Sequence, residues 1–304
     1  MSAATAHDAS GAHSTPAAPE VWGILNVTPD SFSDGGAYLD PQRAVDRARI
    51  LAADGAHVID VGGESTRPGS QPVTPAVEQS RVLPVIAALA ADGLRVSIDT
   101  MHASTAAASV EAGAAIVNDV SGGLADPAML ETVAGLDVDY VAMHWRGPAA
   151  VWDAVSDYRD VVTEVRNELQ SRLEAALAAG IPAERLWLDP GLGFAKRHDD
   201  SWALVRALPA LTDLGCRVLV GASRKRFLGE LLPPDHHVEE RDLPTAVVSV
   251  LAAEAGAAAV RVHDARSTVL ALATHAAWRG TGAAAAASSS SASSAEPARS
   301  EVPA

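Results

Sequence analysis

The chain has little cysteine, little positive charge and no long apolar run. Its single cysteine, Cys216, excludes an intrachain disulfide and cannot by itself form a thiolate metal cage. Because Cys216 opens an apolar run, we expect it to pack in the core rather than to act as a reactive thiol. The formal net charge of −15 disfavours a nucleic-acid surface, which needs clustered Lys and Arg. An anionic ligand would therefore have to be held by local positive charge.

Several sequence signals are missing as well. The first residues lack the basic start and apolar stretch of a signal peptide, and no apolar run approaches the roughly 18 residues that span a bilayer. These features predict a cytoplasmic protein. The sequence contains no zinc-ligand motif, nucleophile elbow, Walker loop or dinucleotide fingerprint. The adjacent His236 and His237 lack a spaced third metal ligand.

Composition separates a central segment from the two ends of the chain. Residues 1–19 and 281–304 are rich in small and polar residues, with too little apolar bulk to offset the entropy of ordering. We predict disordered tails there and a single domain over residues 20–280. The length of that domain is close to the roughly 250 residues that are typical of a (β/α)₈ barrel.

Short apolar runs and helical patterns alternate through the central segment. The clearest helical pattern lies between Tyr158 and Ala179, and another begins at Thr74 and contains Pro84, which should bend it. Alternation alone also fits a doubly wound sheet, but eight strand-like runs favour a TIM (β/α)₈ barrel of the α/β class. The runs expected to form buried parallel strands are Val21–Leu25, Val58–Val61, Val96–Ile98, Ala115–Val117, Val138–Met143, Leu186–Leu188, Val218–Val220 and Ala258–Val262.

Polar side chains occur where these runs end. In a barrel all strand carboxyl ends open onto one face, so residues that are distant in sequence would converge on one pocket. Carboxylates and carboxamides suit the edge of a flat nitrogen heterocycle, whereas Lys, Arg and His donors suit phosphate. The pattern therefore favours a pocket for a heterocycle that carries a phosphate. Its members are Asn26, Asp60, Asp99, Asn118, His144, Asp189, Ser223 with Lys225, and Arg261 with His263.

Each member of this set also has a structural explanation. An isolated Asp or Asn after a strand is most often a helix cap or a turn former. His263 alone would usually be a hydrogen-bonded structural histidine, and Lys225 could belong to a solvated basic patch with its arginine neighbours. The long segments at 26–36 and 62–70 are rich in turn formers and are expected to be functional loops or lids. Arg67 in the second segment could clamp a carboxylate or phosphate.

The motifs at these positions resemble those of the dihydropteroate synthase family. The first two matching stretches, GILNVTPDSFSDGG from Gly23 and IDVGGESTRPG from Ile59, are together highly specific. Many relatives have a glycine where this chain has Ala195, which puts only the local loop geometry in question. The other matching stretches are Ser97–Thr100, Val117–Val120, Leu188–Phe194, Ser223–Lys225 and Arg261–Asp264.

The resemblance implies a TIM-barrel transferase of folate biosynthesis. Such an enzyme joins (7,8-dihydropterin-6-yl)methyl diphosphate to 4-aminobenzoate and releases diphosphate and 7,8-dihydropteroate. The family further implies Mg²⁺ and a homodimer. By motif position, Asn26 would ligate Mg²⁺, and Arg261 and His263 would bind the diphosphate as the other catalytic residues. The pterin would be held by Asp99, Asn118, Asp189 and Lys225. The aminobenzoate side would be formed by Thr66, Arg67, Pro68, Phe194 and Ser223.

Two other functions compete with this one. Pterin-dependent methyltransferases share the barrel and several pterin contacts, but they have no diphosphate to bind. The joint presence of Ser223–Lys225 and Arg261–His263 therefore disfavours them. A paralogue that binds pterins without catalysis is disfavoured because the chain retains Asn26, Thr66, Arg67 and Phe194.

Overall fold

Eight parallel strands close into a barrel in which each strand pairs with the next along the chain and the eighth pairs with the first. The computed structural model describes residues 18–28, 40–65 and 72–281. The predicted barrel is confirmed, and the ends of the predicted strands differ from the observed ones by at most two residues. The strands are β1 Glu20–Asn26, β2 Val58–Gly62, β3 Val96–Asp99, β4 Ile116–Asp119, β5 Asp139–Met143, β6 Leu186–Asp189, β7 Arg217–Val220 and β8 Ala259–Val262.

Helices follow the strands around the outside of the barrel. The helix predicted between Tyr158 and Ala179 is confirmed as Val161–Ala178, and Pro84 lies within the helix Pro75–Ala91. Three 3₁₀ turns occupy Ala149–Val151, Ala183–Arg185 and Val238–Arg241. In the described residues the helices are α1 Pro41–Ala53, α2 Pro75–Ala91, α3 Ala103–Glu111, α4 Met129–Ala134, α5 Trp152–Val155, α6 Val161–Ala178, α7 His198–Arg206, α8 Leu208–Thr212, α9 Arg226–Gly229, α10 Asp242–Glu254 and α11 Ala265–Trp278.

Side-chain caps fix where several helices begin. Asp160 accepts hydrogen bonds from the backbone N–H groups of the first turn of α6, and Thr74 caps α2 in the same way. Asp264 accepts from the Ser267 N–H at 3.1 Å and so caps α11. Because Asp264 directly follows His263, this cap also fixes the point at which the chain leaves the end of β8.

The interior of the barrel is filled with side chains rather than open. Trp22 and Trp187 meet edge to face, with ring centroids 5.3 Å apart, among the small aliphatic residues of five other strands. At the amino-terminal end, Arg95 donates to Glu20 at 3.0 Å and to Asp139 at 3.1 Å. The filled interior and these ion pairs close the amino-terminal end, which leaves the opposite rim, where the strands end, open to a ligand.

Other predictions concern Cys216, membrane-spanning segments and the two ends of the chain. Cys216 is half-buried against the core, and burial raises the pKa of its thiol, which confirms a packing role. In the part of the chain that the structure describes, no helix is long and apolar enough to cross a membrane. The predicted tails lie outside the described residues, apart from residues 18, 19 and 281.

Candidate active site

The strand register places Asn26, Gly62, Asp99 and Asn118 in one row along the carboxyl rim. Asn26 is paired with Gly62, Gly62 with Asp99, and Asp99 with Asn118. Gly62 presents no side chain between its neighbours. A Cβ atom there would lie 3.7 Å from Asn26 Oδ1 and 3.8 Å from Asp99 Oδ2. The polar groups of Asn26 and Asp99 therefore approach the same space above the barrel.

Arg261 joins two carboxylates at the centre of this rim. Its Nε donates to Asp60 Oδ2, and its Nη2 donates to Asp99 Oδ2 at 2.5 Å. Asn118 Nδ2 donates to the same Asp60 oxygen at 3.2 Å. Asp60 is fully buried, and its Oδ1 has no hydrogen-bond partner within the described residues. Since buried polar atoms are normally paired, this oxygen suits an N–H donor of a ligand or an ordered water.

Burial controls the protonation of this centre. It raises the pKa of Asp99 to about 7, an effect that Arg261 opposes and the Asp60 charge reinforces. Although burial acts against it, the attraction of Asp60 and Asp99 keeps the pKa of Arg261 above its usual value. Arg261 is therefore a permanent cation, held between two acidic groups.

Asp189 and Lys225 form the neighbouring wall of the pocket. Asp189 Oδ1 accepts from the Gly191 N–H at 2.7 Å, and burial raises the pKa of this carboxyl group. The Lys225 Nζ lies 3.7 Å from the centroid of the Phe194 ring, which is a cation–π contact. Burial, followed by the Arg261 charge, lowers the pKa of Lys225 to about 8. A desolvated ammonium group beside a carboxylate is thus available to a ligand.

The arginine neighbours of Lys225 do not share its environment. Arg224 has a backbone φ of +58° and makes two hydrogen bonds to Asp242 at 2.8 and 2.7 Å. Arg226 is exposed. The alternative of one solvated basic patch is therefore wrong for Lys225. The sequence offers no role for the adjacent His236 and His237. His236 is structural, because its Nε2 accepts a hydrogen bond from Arg241 Nε at 2.8 Å.

Ser223 and His263 meet where β7 and β8 end. The Ser223 Oγ lies 2.9 Å from His263 Nδ1, and the His263 backbone N–H donates to the same Oγ at 3.1 Å. The hydroxyl already accepts from that backbone N–H and can donate its own hydrogen to Nδ1. In that arrangement Nε2 carries the imidazole hydrogen, so His263 presents a donor rather than an acceptor.

His144 does not join this cluster, although its sequence position predicts that it would. Its Nδ1 lies 2.9 Å from Lys196 Nζ, and its Nε2 lies 2.9 Å from Glu168 Oε2 on α6. Both ring nitrogens are therefore used behind the pocket wall. Three further site residues, Thr66, Arg67 and Pro68, lie outside the described residues, so their roles stay predictions.

Comparison with known proteins identifies relatives that match most of the barrel. A family model described as "Pterin binding enzyme" matches residues 22–263. The dihydropteroate synthase of Mycobacterium leprae is 52% identical over 273 residues, which cover 86% of this chain and 94% of that protein. The chain belongs to the dihydropteroate synthase family. The family resemblance inferred from the motifs is thereby confirmed.

Solved dihydropteroate synthase structures share this fold. The Xanthomonas albilineans enzyme with 4-aminobenzoic acid superposes with a TM-score of 0.80 at 44% identity, covering 87% of this chain and 93% of that chain. The same enzyme in complex with 7,8-dihydropteroate gives a TM-score of 0.77 at 42% identity, covering 87% and 94%. The family therefore shares both sequence and backbone with this chain over nearly the whole barrel.

Two residues of the site receive no role from the family motifs. Asp60 is the one charged residue inside the otherwise apolar strand β2, and this contrast places it in the polar set predicted from the strand ends, although the motifs assign it no role. Lys196 is one of only two lysines in a chain with 21 arginines, and the other is Lys225. Lys196 lies in the rim loop after β6, and Lys225 lies in the rim loop after β7. The sequence itself does not indicate that these two loops lie close together.

Ala195 provides a test of the local backbone, because its φ of +44° lies in the left-handed region. An L-residue there costs about 1–2 kcal/mol, whereas glycine adds about 0.5–1 kcal/mol of chain entropy to folding. We expect Ala195→Gly to raise the free energy of unfolding by about 0.5–1 kcal/mol, measured by urea denaturation. The matched control is Ala87→Gly at an exposed position of α2, which should lower it by about 1 kcal/mol. A lower free energy of unfolding for Ala195→Gly than for the wild type would contradict backbone strain at Ala195.

Proposed function

We propose that this chain condenses (7,8-dihydropterin-6-yl)methyl diphosphate with 4-aminobenzoate to give 7,8-dihydropteroate and diphosphate. One observation carries the proposal: the acidic, amide and basic residues expected from the family motifs converge on a single rim of the barrel. The Xanthomonas albilineans dihydropteroate synthase has been solved with 4-aminobenzoic acid and in complex with 7,8-dihydropteroate, the second substrate and the product of this reaction.

The pterin is assigned to the acidic side of the rim. A pterin edge carries amino and ring N–H donors together with carbonyl and ring-nitrogen acceptors. Asp189 supplies acceptors, Asn118 supplies both a donor and an acceptor, and Lys225 supplies a charged donor. The unpaired Oδ1 of Asp60 lies in the same buried region and adds an acceptor. This combination of donors and acceptors reads the edge of the heterocycle rather than its size alone.

The leaving diphosphate is assigned to Arg261 and His263. The chain has a net charge of −15, so an anionic substrate requires local positive groups. Arg261 is such a group, and His263 would add an Nε2–H donor in the tautomer in which Ser223 Oγ donates to Nδ1. These donors compensate negative charge as it develops on the departing oxygen, which is the condition for accelerating the step.

We propose Asn26 as the protein ligand of Mg²⁺. Over the described residues, no group of three or more His, Cys, Asp or Glu side chains could hold a metal ion. A single amide oxygen is compatible with Mg²⁺, which commonly takes one or two protein oxygens and completes its shell with water and substrate phosphate. Asn26 offers an amide oxygen at the rim, beside Asp99. When bound, Mg²⁺ would neutralise charge on the diphosphate.

The reaction then needs no protein nucleophile. The bond between the pterin methylene carbon and diphosphate breaks first, and the electron-rich dihydropterin delocalises the positive charge. Arg261 and His263 hold the leaving group during this step. The amine of 4-aminobenzoate, placed beside Phe194 and Ser223, attacks the carbon, forms the new C–N bond and then loses one proton to solvent. Most of the two segments predicted to be functional loops or lids, 26–36 and 62–70, lies outside the described residues.

A diphosphate-release assay tests this function. We expect diphosphate and dihydropteroate in equal amounts when both substrates and Mg²⁺ are present, with loss of product after EDTA treatment and recovery when Mg²⁺ is restored. Asn26→Ala should raise the Mg²⁺ concentration needed for half-maximal rate, whereas Asn167→Ala on the outer helix α6 should leave it unchanged. Binding of the pterin without formation of dihydropteroate would support the alternative of a non-catalytic pterin-binding paralogue. Methyl transfer from a folate to a corrinoid without diphosphate release would identify the other alternative.

We further propose a homodimer formed through the outer faces of α10 and α11. Leu243 and Trp278 are 73% and 77% exposed, and Leu270 is 67% exposed. Exposed apolar residues grouped on neighbouring helices are typical of protein contact surfaces. The cytoplasmic location stays a prediction from the sequence.

A further inference from the structure

The loop between β6 and α7, residues 190–197, is held from behind by Lys196; we call it the Phe194 loop. The Lys196 Nζ donates to the carbonyl oxygens of Gly191 and Phe194 at 3.0 and 3.1 Å and lies 2.9 Å from His144 Nδ1. The side chain is buried, with 9% of the residue exposed. Burial lowers the pKa of Lys196 to about 7, an effect that the Asp189 charge opposes. In its ammonium form the group has three hydrogens and no lone pair, so these three acceptors use its full donor capacity and favour that form.

His144 connects this lysine to the outer helix α6. Because its Nδ1 accepts from Lys196, its Nε2 carries the hydrogen and donates to Glu168 Oε2 at 2.9 Å. Burial, followed by the Lys196 charge, lowers the pKa of His144 to about 4, so the ring is neutral at pH 7. Arg146 Nη2 donates to the other oxygen of Glu168 at 2.5 Å. Lys196 is therefore anchored to the helical shell and not only to the loop.

The Phe194 loop needs such an anchor because of its backbone. Gly191, Gly193 and Ala195 have φ values of +64°, +74° and +44°. Glycine adopts this region freely, but Ala195 does not, so the conformation at Ala195 persists only where the surroundings hold it in place. Tyr158 contributes by donating from its hydroxyl group to the Ala195 carbonyl at 3.1 Å. These contacts place the Phe194 ring against Lys225.

We propose that Lys196 is a positioning residue that holds the Phe194 ring in the pocket wall beside 4-aminobenzoate. The proposal rests on the proposed function, which puts the aminobenzoate next to Phe194. Lys196 acts through the carbonyl groups of Gly191 and Phe194 and does not touch either substrate. A neutral amine would have one hydrogen too few for its three acceptors, and a methionine would have none.

The scarcity of lysine allows a direct spectroscopic test. In Lys196→Met, Lys225 is the only lysine left, so protein labelled with [¹³Cε]lysine gives one methylene signal. In the wild type, the Phe194 ring current should shift the Lys225 signal upfield, because Nζ lies 3.7 Å from the ring centroid. We expect Lys196→Met to move this signal to the position found in Phe194→Leu. Arg197→Met, which changes an adjacent side chain that is 69% exposed, should leave it in place.

Kinetic constants provide a second readout. In Lys196→Met we expect the KM for 4-aminobenzoate to rise about tenfold or more, while kcat and the KM for the pterin diphosphate change less than about threefold. Tyr158→Phe should produce a smaller rise in the same constant, and it keeps the test decisive if Lys196→Met does not fold. Equal rises in both KM values, or an unshifted Lys225 signal, would overturn the proposal. The lysine signal reports the position of the Phe194 ring without any reaction. A wild type that shows the expected lysine shifts but no turnover would therefore refute the proposed function and leave the anchoring of the loop by Lys196 intact.

Discussion

Replacing Arg261 with methionine should slow diphosphate release about 10³-fold, because it removes the permanent cation from the leaving-group side of the pocket. His263 and Asn26 remain, so the residual rate should still exceed that of the uncatalysed reaction. Single-turnover measurement of diphosphate release isolates this step from substrate binding and product release. The expected change is in the rate at saturating substrate, since the charge acts on the departing group.

The same replacement should destabilise the fold. Arg261 donates to both Asp60 and Asp99, and its removal leaves the fully buried Asp60 and the partly buried Asp99 without their arginine partner. Breaking a buried pair in this way costs about 3–5 kcal/mol. Urea denaturation should therefore show a lower free energy of unfolding for Arg261→Met than for the wild type.

The double variant Asp60→Asn with Arg261→Met separates the two effects. Neutralising Asp60 removes one unpaired charge and keeps an oxygen that can accept from Asn118. Stability should recover in part, whereas diphosphate release should stay slow. If the double variant regained turnover together with stability, Arg261 would have only a structural role.

The second large effect is expected at Lys225. Lys225→Met keeps the apolar stem but removes the charged donor, and a hydrogen bond from a charged group contributes about 1.5–3 kcal/mol. Affinity for 6-hydroxymethyl-7,8-dihydropterin should therefore fall about 10- to 150-fold, measured by calorimetric titration. Using the pterin without its diphosphate restricts the measurement to recognition of the ring.

Arg226→Met is the matched control for Lys225→Met. Arg226 is the next basic residue along the chain, but its side chain is exposed rather than part of the pocket. Its replacement should leave pterin affinity unchanged. A similar loss in both variants would mean that general positive charge attracts the ligand, and that Lys225 makes no specific contact.

The eight strands could be predicted because buried parallel strands are short apolar runs with polar ends. The predicted carboxyl ends of five strands, β1 to β4 and β6, lie one or two residues before the observed ends, for a physical reason. Asp99, Asn118 and Asp189 look like loop residues by polarity, but each is still paired with a neighbouring strand. The residues that define the site thus belong to the sheet, which gives them fixed positions.

The contacts inside the site could not be predicted from one sequence. Arg261 bonds to Asp60 across 201 positions of chain, between strands that are not neighbours in the sheet. His144 was expected in the pocket because it follows a strand, but Lys196 and Glu168 use both of its ring nitrogens elsewhere. Such partners depend on side-chain reach in three dimensions. Thr66, Arg67 and Pro68 keep only their motif-based assignments.

The paired indoles of Trp22 and Trp187 give the barrel a solid floor. Because the interior below the carboxyl rim is filled, a bound molecule has no exit through the barrel. A reactant that lies against this floor must therefore bind before the reactant above it, which makes the addition of substrates ordered.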